Sequence, residues 1–174
     1  MTGEKSVRRR FRERLAVKKL IVAPGIYDAY GARMVEQAGF EAVYMTGNGV
    51  SASLLGRPDV GLVDLTLLSR HAHYAAACID IPLICDADTG YGNAVNVRHA
   101  VREFEAAGVA AIHIEDQMTP KRCGHLPGAR PVIELSEAVG KIEAAIAARR
   151  DPDFVIIART DVASGQGIDR KSVV

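Results

Sequence analysis

The feature that most restricts the fold is an alternation repeated along the chain: a short apolar run, then a segment with apolar residues three and four apart. Residues 20–23 read as a first strand, and 26–38 have helical spacing closed by Gly39, a natural helix-terminating residue. Residues 42–45 read as the next strand, followed by a glycine-bearing loop over 46–61 and a helix over 64–78 with Asp64 as its N-cap. A third strand, 82–85, runs into Asp86 and Asp88, and a helix over 94–107 ends at Gly108. Strand four is 110–114. A long loop then leads to a helix over 136–149 capped by Ser136, and strand five, 154–158, runs into Arg159, Thr160 and Asp161. Ahead of these, Val7, Phe11 and Leu15 recur at helical spacing, so 6–18 predicts an amphipathic helix with a solvated basic face.

Short apolar strands, each followed by a helix, imply a parallel sheet with its outer face covered. A doubly wound sheet gathers ligand groups at one switch point, whereas a barrel collects them from its strand ends. Here Tyr44 and Thr46, Asp86 and Asp88, Glu115, and Arg159 and Asp161 all follow strands. The expectation is an α/β fold of the TIM-type (β/α)8 barrel family. Such a barrel takes about 250 residues. A chain of 174 residues is therefore expected to supply about the first five units as a single partial barrel, with 162–174 as a truncated tail.

Charge narrows the partners. With 22 basic and 21 acidic residues the net charge is +1, so no overall field draws the chain to nucleic acid or to an anionic membrane. No apolar run approaches the roughly 18 residues of a membrane-spanning helix. Cys78, Cys85 and Cys123 are odd in number and follow no secretory segment, which points to free thiols in a reducing compartment. The arginine-rich start contains Glu4 and Glu13, unlike an organelle presequence, so the expected location is cytoplasmic.

The groups that carry chemistry cluster after the strands. Asp86 and Asp88 in CDADTGYG are two positions apart, so an extended backbone would aim both carboxylates to one side. Oxygen-only ligands of this kind suit Mg²⁺, although one aspartate could instead cap the turn that follows. Glu115, Asp116 and Asp59 gain weight only as partners of metal-bound water. Thr46-Gly47-Asn48-Gly49, with Ala52, matches G-x-G-x-x-A but follows the second strand, and a nest of backbone N–H groups for a carboxylate is the better reading. Cys123 lies beside Lys121, Arg122 and His125, neighbours that favour a thiolate. His71, His73 and His99 fall on helices and read as surface residues, while His113 alternates with Glu115 and could face the barrel interior.

These residues resemble the isocitrate lyase and phosphoenolpyruvate mutase superfamily, most of all its 2-methylisocitrate lyase type. The matching stretches are APGIYDAYGARMVEQAGF, YMTGNGVSASLLGRPDVG, CDADTGYGN, HIEDQMTPKRCGH and DFVIIARTD. The resemblance implies a barrel that binds Mg²⁺ through Asp86 and Asp88, with Asp59 and Glu115 around the metal-bound waters. It implies that Thr46, Gly47 and Asn48, standing where similar proteins have a Ser-Gly-Gly type segment, hold the oxo-acid carboxylate. Arg159, Gly124 and His125 join the substrate-binding set. Tyr44 stands over the metal site, and Cys123 is the thiol of a gating loop.

The implied reaction is a Mg²⁺-dependent retro-aldol cleavage of a 2-methylisocitrate-like 2-hydroxy acid to a 2-oxo acid and a dicarboxylate. Tyr44 is a candidate base for the hydroxyl proton, and Cys123 would protonate the carbanion once the loop closes. Phosphonate-forming mutases of the superfamily carry an Asn-Ser pair where this chain has Cys-Gly-His, so KRCGH favours C–C cleavage. A mutase-type or oxaloacetate-acting enzyme stays open as an alternative. Relatives continue into further strands and into helices that exchange between subunits, so a homo-oligomer is expected for a full-length relative and an inactive fragment is the other alternative for this chain.

Overall fold

The structure is a computed structural model that describes residues 5–164, so residues 165–174 of the expected tail lie outside it. Five strands form one parallel sheet: β1 (Gly25–Ile26), β2 (Val43–Met45), β3 (Leu83–Asp86), β4 (Ala111–Glu115) and β5 (Val155–Arg159). Their spatial order is their order in the chain, β1-β2-β3-β4-β5. A doubly wound sheet would reverse direction at a switch point. An unbroken sequential order is that of consecutive units in a β/α barrel.

The helices are α1 (Val7–Ala16), α2 (Ala29–Gln37), α3 (Gly47–Leu55), α4 (Leu65–Ala77), α5 (Ala94–Ala106) and α6 (Leu135–Ala148). Short polar side chains start most of them by accepting an otherwise orphaned N–H. Asp28 accepts from Gly31, Asp64 from Leu67, and Asn93 and Asn96 form a reciprocal capping box on α5. Ser136, expected to cap α6, lies inside its first turn; the N-cap is Glu134, whose side chain makes no capping hydrogen bond.

Two sequence-based expectations are corrected. The first strand pairs at Gly25–Ile26 and not at 20–23, because Gly25 and Ile26 lie opposite Tyr44 and Met45 while Leu20 is 85% exposed. The stretch 46–61 is not all loop: α3 begins directly after β2, with the Thr46 hydroxyl accepting from the Gly49 N–H at 3.3 Å. Gly56, at φ +59°, ends that helix in the left-handed region glycine tolerates.

Alternate residues of the strands face opposite ways. Val43, Met45, Leu83, Cys85, Ile112 and Ile114 pack beneath the helices with Val50, Leu68, Val101 and Phe104. The other face carries Ala111 and Val155 with Ile84 and Ile157, closed at its base by Phe11 of α1. The same parity puts Tyr44, Asp86, His113, Glu115 and Arg159 on that inner face, toward the strands' C-terminal ends. The basic side of α1 is structural, contrary to expectation. Arg8 donates to the Val109 carbonyl at 2.8 Å and lies over the Phe154 ring, and Arg14 pairs with Glu41 at 2.8 Å.

Phe104 is fully buried between α5 and the sheet. Phe104→Ala is expected to destabilise the fold by about 3–5 kcal/mol through lost burial and the cavity left behind. Urea unfolding followed by circular dichroism measures it.

Candidate active site

Asp86 ends β3 and Asp88 follows two residues on, but strand alternation is not what brings them together. Asp88 has φ +47°, so the backbone has left the extended conformation, and its own N–H donates to Asp86 Oδ1 at 3.1 Å. Asp59 arrives from the loop between α3 and α4. One oxygen from each of the three acids lies within 4.8 Å of the others, and all three residues are buried.

The first residue of α3 completes this wall. Gly47 N–H donates to Asp86 Oδ2 at 3.2 Å, and a Cβ at Gly47 would lie 2.8 Å from that oxygen and 3.5 Å from Asp88 Oδ1. Glycine is needed there for space, with its helical backbone unstrained. The N–H nest read in the sequence is thus a helix N-terminus already turned on an acid, and the Thr46 hydroxyl is engaged in capping it. Asn48 is partly buried beside it.

Lys121, read from the sequence as a neighbour of the thiol, belongs to the acids. It is only 5% exposed, and Nζ lies 2.6 Å from Asp59 Oδ2 and 2.6 Å from Asp88 Oδ1. The second contact joins charges without hydrogen-bond geometry, so Asp88 Oδ1 is a buried oxygen that accepts no hydrogen bond among the described residues. Burial pushes the Asp88 carboxyl up to about 7, against the pull of Lys121 and with help from Asp86. Burial opposes the charge on Lys121 too, but the charges of Asp88 and Asp86, with the hydrogen bond to Asp59, hold its pKa above the ordinary value.

These features fit a divalent cation. Three buried carboxylates are gathered around one positive charge, one oxygen lacks a hydrogen bond, and an all-oxygen donor set suits a hard ion such as Mg²⁺.

Around the trio stand the other expected residues. Tyr44 Oη is 3.0 Å from His113 Nδ1. Burial, and Asp86 after it, pushes the phenol far above its ordinary range, while burial pushes His113 down. A protonated phenol donating to a neutral imidazole satisfies both. Glu115 is raised by burial to about 8, although Arg159 Nη1 lies 3.1 Å from its Oε2 and draws it the other way. Arg159 Nη2 also donates to Asp161 Oδ1 at 2.9 Å.

The loop after β4 is tied down at several points. Cys123 N–H donates to the Asp59 carbonyl at 3.0 Å, which sets the half-buried free thiol beside the acid trio's loop. Arg122 turns away and donates to the Pro127 carbonyl, and Gly124 and His125 are exposed. Two side chains that carried no sequence signal organise the rest. Gln117 is 2% exposed; its Nε2 lies 3.0 Å from Glu115 Oε1 and 3.0 Å from Asp161 Oδ2, and its Oε1 accepts from Arg122 N–H at 2.9 Å. Arg130 reaches back over Gly124 to within 3.8 Å of Asp161 Oδ1. Asp116 proves structural, accepting from the Thr160 hydroxyl and the Asp161 N–H.

Two raised carboxyl groups give a pH dependence. Asp88 and Glu115 bind protons more tightly when folded than when unfolded. Their stabilising contribution is complete below about pH 4 and is lost as pH rises through the folded values near 7 and 8. With a chelator present, the melting temperature is expected to fall between about pH 6 and pH 9. A flat or rising profile would contradict this, and thermal melts in matched buffers decide it.

A family profile described as phosphoenolpyruvate phosphomutase matches residues 11–172. The chain belongs to this phosphomutase family. Among phosphomutase-family relatives, 2,3-dimethylmalate lyase of Eubacterium barkeri is 52% identical over 160 residues, covering 92% of this chain and 55% of that protein. A 2-methylisocitrate lyase of Shewanella oneidensis is 43% identical over 160 residues, 92% of this chain and 54% of that one. A crystal structure of 2,3-dimethylmalate lyase, described as a member of the PEP mutase/isocitrate lyase superfamily, superposes with a TM-score of 0.90 at 39% identity over 97% of this chain and 57% of its own. A phosphonopyruvate hydrolase crystallised with oxalate and Mg²⁺ gives a TM-score of 0.83 at 37% identity, over 91% and 53%. The chain therefore spans about half the length of the phosphomutase-family relatives it matches. Its five sequential units are units of that superfamily's TIM-type barrel. Among the described residues no helix is long and apolar enough to cross a membrane.

Proposed function

We propose that this segment carries the first part of a Mg²⁺-dependent carbon–carbon lyase site, one that cleaves a 2-methylisocitrate-like 2-hydroxy acid to a 2-oxo acid and a carboxylic acid. The observation that carries the reading is the junction of two elements far apart in sequence: the trio Asp59, Asp86 and Asp88, and the KRCGH segment bound to it by Lys121 and by the Cys123 N–H.

Asp86 and Asp88 would hold the metal, with Asp59 and Glu115 positioned for its waters. Bound there, Mg²⁺ would polarise the substrate hydroxyl and stabilise the carbonyl that forms as the bond breaks. The residues of the chain do the rest. The start of α3, with Thr46, Gly47 and Asn48, would receive the oxo-acid carboxylate, since a helix N-terminus presents N–H groups and a positive dipole end. Arg159 would bind substrate oxygen from the opposite strand. Tyr44 would take the proton of the substrate hydroxyl while passing its own to the neutral imidazole of His113, 3.0 Å from its Oη. Cys123, carried on the loop with Gly124 and His125, would deliver a proton to the carbanion of the leaving fragment. Closing that loop would exclude water from the intermediate.

The test is release of 2-oxo acid by protein carrying this segment, supplied in turn with 2-methylisocitrate, 2,3-dimethylmalate and oxaloacetate. Cleavage of either hydroxy acid that stops with excess EDTA supports the reading. Turnover of oxaloacetate alone would move the assignment to the oxaloacetate-acting alternative.

A further inference from the structure

We infer that Arg130 is a specificity-determining residue of this site, binding a second carboxylate on the substrate beside Gly124. The inference rests on the proposed lyase function and deepens it: the acids favoured are those with a carboxylate on the fragment that departs from the metal-site acids.

The two guanidinium groups near Gly124 differ in how far their donors are used. Arg159 is committed on both sides, Nη1 to Glu115 at 3.1 Å and Nη2 to Asp161 at 2.9 Å. Arg130 is not. Its side chain is 21% exposed, and among the described residues its Nε is buried without a hydrogen-bond partner and its one acidic contact is Asp161 at 3.8 Å, too long for a hydrogen bond. A buried, unused guanidinium N–H is costly unless something accepts from it.

A methyl group on Gly124 would lie 2.5 Å from Arg130 Nη1 and 4.0 Å from Arg159 Nη2. Gly124, next in sequence to Cys123, is thus closely approached by the Arg130 guanidinium, with Arg159 just beyond. Arg130 Nη1 fills the space that a side chain there would take, and its planar fork is suited to carboxylate oxygens. A carboxylate held at this point would sit beside the loop that carries the thiol. That is where the fragment needing protonation must be held.

Calorimetric titration of the Mg²⁺-saturated protein separates the two halves of the site. Oxalate presents paired oxygens in the manner of a 2-oxo acid and probes the metal-site half; succinate probes the separated carboxylate. Arg130→Gln is expected to weaken succinate by about tenfold or more, with oxalate changed by less than about twofold. Arg130→Lys keeps the charge and the aliphatic stem but loses the fork, and should fall between. Unchanged succinate binding in Arg130→Gln overturns the inference. So does an equal loss of both ligands in Arg130→Gln and Arg130→Lys, which marks a merely structural residue. Wild-type protein that binds oxalate but not succinate also overturns it and leaves the lyase reading standing. Protein that binds neither overturns the lyase reading itself.

Discussion

Cys123→Ser is expected to lower release of 2-oxo acid by a factor of about 10²–10⁴, the range over which a positioned acid or base acts. A serine hydroxyl occupies nearly the same space but is a far weaker acid than a thiol, so it fills the position without supplying the proton. The anchoring of this residue is through its backbone, by the N–H that donates to the Asp59 carbonyl. That bond survives the substitution, and the melting temperature should hardly move. Oxalate binding in the presence of Mg²⁺ should stay within about twofold, because metal-site ligands and loop anchor are untouched. A variant with unchanged turnover removes Cys123 from the mechanism, and parallel loss of turnover and oxalate binding makes its role structural.

Lys121→Met should unfold the chain more easily by about 3–5 kcal/mol near pH 8, since removing one partner of a buried ion pair strands the other. Here one ammonium serves two carboxylates, Asp59 and Asp88, each 2.6 Å away, and methionine matches its stem but not its charge. The loss should be smaller near pH 6, because Asp88, raised to about 7 even with Lys121 holding it down, rises further without it and takes a proton in place of its partner. Mg²⁺ should restore part of the lost stability, because a cation bound by the native acids favours the folded state. Urea unfolding at both pH values, with Mg²⁺ and with EDTA, gives the four numbers. Equal stability of variant and wild type at the higher pH would show that Lys121 is not what balances the trio.

Both predictions depend on contacts whose visibility in the sequence differs. The alternation of strands and helices was legible because it depends on local spacing, and α4, α5, β3 and β4 stand within a residue or so of where the pattern puts them. Strand one was misplaced. Its apolar run at 20–23 looks like a strand, yet parallel pairing is decided by the partner, and β2 offers its hydrogen bonds to Pro24 and Ile26. The start of α3 was hidden for another reason. Glycines at 47 and 49 read as loop on propensity, but a well-placed threonine cap and the acid facing Gly47 outweigh a helix cost of about 1 kcal/mol per glycine.

The candidate site was legible wherever a residue type announces its chemistry. Asp86, Asp88, Asp59, Glu115, Cys123 and Arg159 are acids, a thiol and a cation at strand ends or in a polar loop. Gln117 and Arg130 announced nothing, since a lone amide and a lone arginine in a proline- and glycine-rich loop are ordinary. Their roles come from what folds against them: Glu115 and Asp161, two and 44 residues from Gln117, and Gly124 under Arg130. Lys121 was seen but given the wrong neighbours.

The sequence by itself determined the repeating β/α units, the strand ends on which the chemistry collects, and the family to which the chain belongs, because hydrophobic period and short motifs are properties of neighbouring residues. Only the tertiary structure decided that Lys121 neutralises the acids instead of serving the thiol, that Gly47 is glycine for want of space beside Asp86, and that Arg130 Nε has no hydrogen-bond partner among the described residues. Charge balance and close approach are set by distance through space, and the closest partners here are up to 62 residues apart along the chain.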